Sequence, residues 1–398
     1  MKILMLTPYL PFPLMSGGQT RSYNLIKDLS KKHDITLFSL IKDDNEKKHI
    51  PELKKYCKKV FVFKRSKTPW TLRNILLTAF GPYPFLVIRN LAPDEKVAVQ
   101  KELETEKYDI IHAETFYVMP HIPKTEVPIL LVEQTIEYLV YKHYVEEQAS
   151  FFVKIPFSID VKKLRFWETH FWKEANKVVA MSASDKKQML NLVPSLNINI
   201  VPNGIDIDHF SEIPRRESKT PKVLYVGNFK WIQNVEAVNI LIKKVWPKIK
   251  KEVKNAKLWI VGMNITEKLK EFKSKDIEIT EAIPDIRQAY SKASVLVAPI
   301  KGPGGTRLKI LEAMASALPV VTTTVGAEGL GVVNEKEVLI SDNLNTVAKY
   351  AIKVLKDNKI SKSLGLYGKK FVKSKYTWEK SAQVLDNIYS KVVYEKET

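Results

Sequence analysis

The chain has 398 residues, 45% of them apolar, which is long for one ordinary domain, comfortable for two, and excludes a disordered or fibrous protein. Cys57 is the only cysteine, which excludes an intrachain disulfide or a cysteine-based metal cluster and points to a reducing compartment, the cytoplasm. Lysine and arginine total 64 against 44 acidic residues, a net charge of +20; a pull toward nucleic acid, an anionic membrane surface or phosphorylated ligands competes here with a plain lysine-rich surface serving solubility.

Met1 to Met15 has the outline of a signal peptide, but Pro8, Pro11 and Pro13 break it and no small-residue cleavage site follows, so a buried strand running into a loop is expected. No stretch reaches the roughly 18 apolar residues of a membrane span. Lys2 to Thr7 predicts a strand, Gly17-Gly18 a turn, and the spacing of Leu25, Ile26 and Leu29 a helix. Further strands are predicted at Ile35 to Ile41, Val60 to Phe63, Ile110 to His112, Ile129 to Val132 and Val178 to Met181. Their alternation with helical stretches implies a mostly parallel sheet.

Pro202-Asn203-Gly204 and the polar stretch Ser211 to Lys222 read as a connection, after which the alternation restarts. Strands are predicted at Val223 to Val226, Leu258 to Val261, Ile277 to Ile279, Val295 to Ala298, Val320 to Thr323 and near Val338 to Ile340. Helices are predicted at Val235 to Val245, around Leu269, at Ile286 to Tyr290, from Leu308 to Ala317 and beyond Thr346. The fold class is therefore α/β, two Rossmann-like doubly wound domains in tandem. Such sheets bind ligands at the carboxyl ends of their strands, and if those ends face each other the site lies in a cleft between the domains.

The stretch Ala298-Pro-Ile-Lys-Gly-Pro-Gly-Gly-Thr-Arg-Leu-Lys-Ile-Leu-Glu-Ala-Met-Ala315 takes a buried strand into a glycine-rich loop. Thr306 then stands where it caps a helix carrying Arg307, Lys309 and Glu312. Loop amides and the positive end of a helix suit a phosphate. Glu312, among Leu308, Leu311 and Ala315, must find partners or raise its pKa. A ribose with two adjacent hydroxyls is one partner and a nearby cation is another, and both readings stay open on the residues alone.

This stretch resembles the carboxy-terminal signature of the family 4 (group 1) glycosyltransferases of the GT-B fold. Val201-Pro-Asn-Gly-Ile-Asp206 with Phe210 resembles the family's interdomain hinge, Val226-Gly227-Asn228-Phe229 its first carboxy-domain turn, and Gly326-Ala-Glu-Gly-Leu330 the loop after its last core strand. Pro8 to Arg21 resembles the amino-terminal loop that approaches donor phosphate and acceptor, and the matches run on to Tyr376-Thr377-Trp378. The resemblance implies an acceptor-binding domain over residues 1–200, a nucleotide-sugar-binding domain over 201–378, and a helix over 379–398 that returns to the first domain.

It further implies a retaining transfer from a nucleotide diphosphate sugar to a cell-envelope, polysaccharide or lipid-linked acceptor; the seven histidines are scattered and Asp206-Ile-Asp208 fits the hinge, so no metal is expected, nor any cofactor beyond that cosubstrate. Glu312 falls to the donor's ribose; Gly17, Gly18, Gly227, Asn228, Lys230, Gly304, Gly305 and Thr306 join it at the donor. Arg21, Gln134 and Glu137 fall to the acceptor. Two departures matter: Gly304 stands where the family usually has a sugar-binding glutamate, and Asn228 where it commonly has a diphosphate-binding arginine, leaving Arg307 and Lys309 to supply that charge. The family's amino-domain histidine corresponds to Gln134, which cannot be a general base. His112, at a strand end, is either a base or a structural hydrogen-bonder, and Glu114, Glu133 and Glu137 share the ambiguity.

Lys64 to Phe80 and Phe151 to Trp172 mix cations with large apolar residues, which suits an anionic membrane surface or a lipid-linked acceptor and equally a pair of amphipathic helices packed on the sheet. A nucleotide-sugar epimerase is the alternative enzyme. A nucleic-acid-binding protein is suggested only by charge, without a recognisable motif. A dehydrogenase lacks its Gly-x-Gly-x-x-Gly spacing.

Overall fold

From Ile3 to Thr7 every residue of the first strand is buried, as a strand covered on both faces requires. Alternate side chains enter different cores: Ile3 and Met5 join one apolar cluster, Leu4 and Leu6 another, so the strand lies in the middle of a three-layer arrangement. The computed structural model describes residues 1–147, 149–215, 219–302 and 308–397. It divides into two units, Met1–Pro202 with Trp378–Thr398, and Asn203–Thr377.

The first unit holds seven parallel strands: β1 (Lys2–Thr7), β2 (Asp34–Ile41), β3 (Lys59–Lys64), β4 (Ile110–Glu114), β5 (Ile129–Glu133), β6 (Lys177–Ala180) and β7 (Ile198–Ile200). Their order is β3-β2-β1-β4-β5-β6-β7. Three-residue β7 is too short to show a period and was not among the expected strands. Gly17 and Gly18 are the first residues of the helix Gly17–Leu29 rather than a turn before it, with Ser16 capping through Gln19 N. The helix Trp378–Glu397 packs with Gly17–Leu29 and sends Leu385, Ile388, Tyr389 and Val392 into the core shared by Ile3 and Met5.

The second unit repeats the plan with β8 (Lys222–Asn228), β9 (Lys257–Met263), β10 (Ile277–Glu281), β11 (Val295–Ala298), β12 (Val320–Thr322) and β13 (Leu339–Ile340), all parallel, ordered β10-β9-β8-β11-β12-β13. Here Val223 and Tyr225 enter one core and Leu224 and Val226 the other. The strand order reverses between β1 and β4 and between β8 and β11, the places where doubly wound sheets hold their ligands.

The two stretches rich in cations and aromatics form the helices Leu72–Phe80 and Phe151–Glu174. Leu164, Phe171 and Trp172 pack into the core, as amphipathic packing requires. Leu72 (73% exposed), Phe80 (86%) and Phe152 (89%) do not, and Trp70 just before the first helix is 62% exposed. Lys163 Nζ fastens the two helices, donating to Thr78 O at 2.6 Å and Gly81 O at 2.8 Å. No helix among the described residues is long and apolar enough to cross a membrane.

Candidate functional site

In the second unit β8 ends in Gly227 and Asn228 at the switch point, and the helix Leu308–Ala315 starts nearby. Asn234 joins them. Its Nδ2 donates to Asn228 O at 2.8 Å, and its Oδ1 accepts from Lys309 Nζ at 2.6 Å and from Tyr225 OH at 3.0 Å. A Cβ on Gly227 would stand 3.0 Å from Asn234 Cγ, so glycine lets this contact close. Asn228 Oδ1 accepts from Lys230 N at 3.1 Å and from Asn264 Nδ2 at 2.8 Å, while the Lys230 side chain is exposed. Lys309 Nζ also lies 4.5 Å over the Tyr225 ring. The cation near the helix start is thus held by neutral acceptors and a ring face.

Glu312, one turn on from Lys309 and on the same face, is half-buried and accepts from Tyr290 OH at 2.6 Å. Burial pushes its carboxyl above the usual range, against the Tyr290 hydrogen bond and the Lys309 charge. Gly304, Gly305, Thr306 and Arg307 lie outside the described residues.

In the first unit a second polar cluster fills the switch point between β1 and β4. His112 on β4 is fully buried; its Nε2 meets Glu114 Oε1 at 3.1 Å and its Nδ1 meets the Tyr389 hydroxyl of the last helix. With both ring nitrogens taken, none is left for an acceptor hydroxyl, so the catalytic assignment of His112 gives way to that of a strand-end hydrogen-bonder. Gln134 Nε2 donates to Glu114 Oε2 at 2.6 Å and to Tyr9 OH at 2.7 Å. Burial acts to raise Glu114, but His112, Arg21 and Gln134 outweigh it and hold the carboxyl below its usual range.

Arg21 is 1% exposed and donates to Pro202 O at 3.0 Å and Val201 O at 3.1 Å. It anchors the chain where the unit ends rather than reaching out to an acceptor, which corrects its expected role. Gly18 packs on the same cluster, since a Cβ there would lie 2.6 Å from Gln134 Oε1. Gly17 beside it is exposed.

Three further carboxyl groups gather at the carboxyl end of β5. Glu168 caps the helix Glu137–Glu147, accepting from Glu137 N at 2.8 Å and Tyr138 N at 2.9 Å. Glu133 accepts from Trp172 Nε1 at 2.9 Å. Burial drives both Glu133 and Glu168 well above the carboxylate range, in Glu133 with Glu168 adding to it. Glu137 is half-buried, and burial pushes it to about 7 against the pull of Arg89. Sequence reasoning missed Asn234, Tyr225, Tyr290, Tyr9, Tyr389 and Glu168. None has a local spacing to mark it, because the partners that bring their side chains into the clusters stand from 6 to 277 residues away.

Residues 15–209 match the glycosyltransferase family 4 model and residues 220–357 the model of group 1 glycosyl transferases. An uncharacterized 44.6 kDa protein in the cps region of Klebsiella pneumoniae is 23% identical over 393 residues, 95% of this chain and 97% of that one. Among solved structures, sucrose-phosphate synthase from Thermosynechococcus elongatus superposes with a TM-score of 0.74 at 17% identity, over 99% of both chains. Anabaena HepE in complex with UDP and glucose gives 0.66 at 15%, over 98% of this chain and 100% of that one. Paired parallel sheets, switch-point clusters and two family matches spanning both units together make this chain a member of the group 1, family 4 glycosyltransferases with the GT-B fold.

Proposed function

We propose that this glycosyltransferase takes its sugar from a nucleotide diphosphate sugar held by the second unit and passes it, with retention, to a cell-envelope, polysaccharide or lipid-linked acceptor at the first. The observation that carries the donor half is the convergence of Gly227, Asn228 and Lys309 on Asn234, with Glu312 one turn away on the same helix face. Lys309, with Lys230 and Arg307, would offset the charge that builds on the diphosphate as the glycosidic bond breaks. Glu312 would accept from the ribose hydroxyls. A relative of the same fold, Anabaena HepE, was solved with UDP and glucose, which supports this choice of ligand.

Retention fits the first unit. Gln134 cannot take a proton and His112 is enclosed, so the donor's own phosphate is the base in this reading, and the protein contributes mainly position. The reading requires neither a metal nor another cofactor.

A thermal-shift panel of uridine, guanosine and adenosine diphosphates and their sugars tests the donor half. A ligand at a hundred times its dissociation constant adds about 2.7 kcal/mol of stability. A panel without any shift would sink it. The exposed Trp70, Leu72, Phe80 and Phe152, with lysines nearby, support peripheral attachment to an anionic membrane. Sedimentation with anionic vesicles at low salt should exceed that with neutral ones, and equal weak binding to both removes the attachment.

A further inference from the structure

Arg65 and Arg89 form a second basic site in the first unit that the donor and the switch-point cluster leave unused. Arg65 N donates to Ile41 O at 2.9 Å, which fixes the residue at the carboxyl ends of β2 and β3. Its Nη1 donates to Asn90 Oδ1 at 2.8 Å, a neutral amide adjacent in the chain to Arg89. The Nε atoms of both arginines are buried without a partner. Burial first, then the Arg89 charge, pull the Arg65 guanidinium below its ordinary range. Glu137 feels the Arg89 charge and Glu46 the Arg65 charge, but neither is bonded to a guanidinium, so like charges with buried, unpartnered N–H groups still favour an anion that can accept from them, and the guanidinium fork suits a phosphate.

The chain leads from this pair directly to the exposed apolar surface. Arg89 closes the helix Phe85–Ile88, and one turn back Phe85 stacks on Trp70 at 4.4 Å. Trp70 follows Arg65 by one short loop and stacks on Phe157 of the long helix at 6.1 Å. A charged site and an apolar face therefore lie side by side, which is the pattern of an amphiphile.

We propose that Arg65 and Arg89 bind the phosphate or diphosphate of a lipid-linked acceptor whose hydrocarbon chain lies along Trp70 and the exposed faces of the helices Leu72–Phe80 and Phe151–Glu174. This rests on the acceptor half of the reading above and not on the identity of the nucleotide. The test uses the full chain saturated with the nucleoside diphosphate that stabilises it most, titrated calorimetrically with farnesyl diphosphate, inorganic diphosphate and farnesol.

Farnesyl diphosphate should bind at least about tenfold more tightly than either fragment. Arg65→Gln and Arg89→Gln should each weaken it roughly tenfold, Arg89→Lys less, and the affinity for nucleotide should stay unchanged. Leu72→Ser with Phe80→Ser should weaken farnesyl diphosphate and leave inorganic diphosphate alone. Unchanged binding by both glutamine variants, or farnesol as tight as its diphosphate, overturns the proposal. So does displacement of farnesyl diphosphate by excess nucleotide, which would put it in the donor site. If a glutamine variant unfolds, Arg65→Lys and Arg89→Lys carry the decision, because a lysine keeps the charge and loses the fork; wild-type affinity in both overturns the proposal. A preparation that no nucleotide stabilises defeats the donor reading, and the arginine titration is then run without nucleotide and judged by the same outcomes.

Discussion

The clusters between β1 and β4 and between β8 and β11 occupy the same topological place and are filled in opposite ways. In the first unit His112, Glu114 and Arg21 are at most 1% exposed and bond to one another's neighbours: Tyr389, Gln134, Val201 and Pro202. In the second unit Glu312, Gly227 and Asn228 are half-buried, and Lys309 is held by neutral groups. A strand-end position therefore does not by itself make a polar residue a ligand contact. What decides is whether the chain has already used its hydrogen bonds.

The strongest way to break this contrast is Glu114→Gln. Arg21 would lose the carboxylate that offsets its buried charge, and removing one member of a buried charged set costs about 3–5 kcal/mol. Urea unfolding should show that loss, with donor affinity of the folded protein unchanged. The folded carboxyl titrates below the ordinary 4.5, so its contribution is present above that value and disappears as pH falls through the folded one. The variant should lack that acid-side decline. A stability loss under about 1 kcal/mol would mean that the cluster does not depend on this charge.

Glu312→Gln should do the reverse. Burial already disfavours the Glu312 charge, so an amide of the same shape, still accepting from Tyr290, should leave the unfolding midpoint within about 0.5 kcal/mol of wild type. Charge-assisted bonds to a ribose are worth about 1.5–3 kcal/mol each, so donor affinity should fall roughly ten- to a hundredfold. A lower midpoint with unchanged nucleotide affinity would make Glu312 structural and erase the difference between the two clusters.

Most of the fold was legible because parallel strands buried on both faces read as short apolar runs, as β1, β8 and β11 do. Ile198–Ile200 was not, since three residues carry no period. In the site, Lys309 and Glu312 share one helix and their spacing shows it. Asn234, Tyr290 and Tyr389 become partners only through folding, with separations such as the 277 residues between His112 and Tyr389. Exposure was equally hidden: Arg21 and His112 look like any polar residue beside a glycine turn or a strand end, and only packing shows them enclosed.

Gln134 sharpens the contrast most finely, because it belongs to the closed cluster and yet is half-buried. Its single Nε2 serves both Glu114 Oε2 and Tyr9 OH, while its Oε1 points to the first turn of the helix Gly17–Leu29, 2.6 Å from where a Gly18 Cβ would be. Gln134→Ala should cost about 1 kcal/mol of stability, the ordinary value of a hydrogen bond lost with Glu114 still supported by His112. Its effect on the maximal rate should stay under about tenfold, because glutamine can position an acceptor but cannot take its proton, and a true general base contributes about a hundredfold or more. Steady-state rates measured beside those of Glu312→Gln decide the matter. A rate loss as large as a missing base, with the midpoint preserved, would move Gln134 out of the closed cluster and make its Oε1 a substrate contact at the start of that helix.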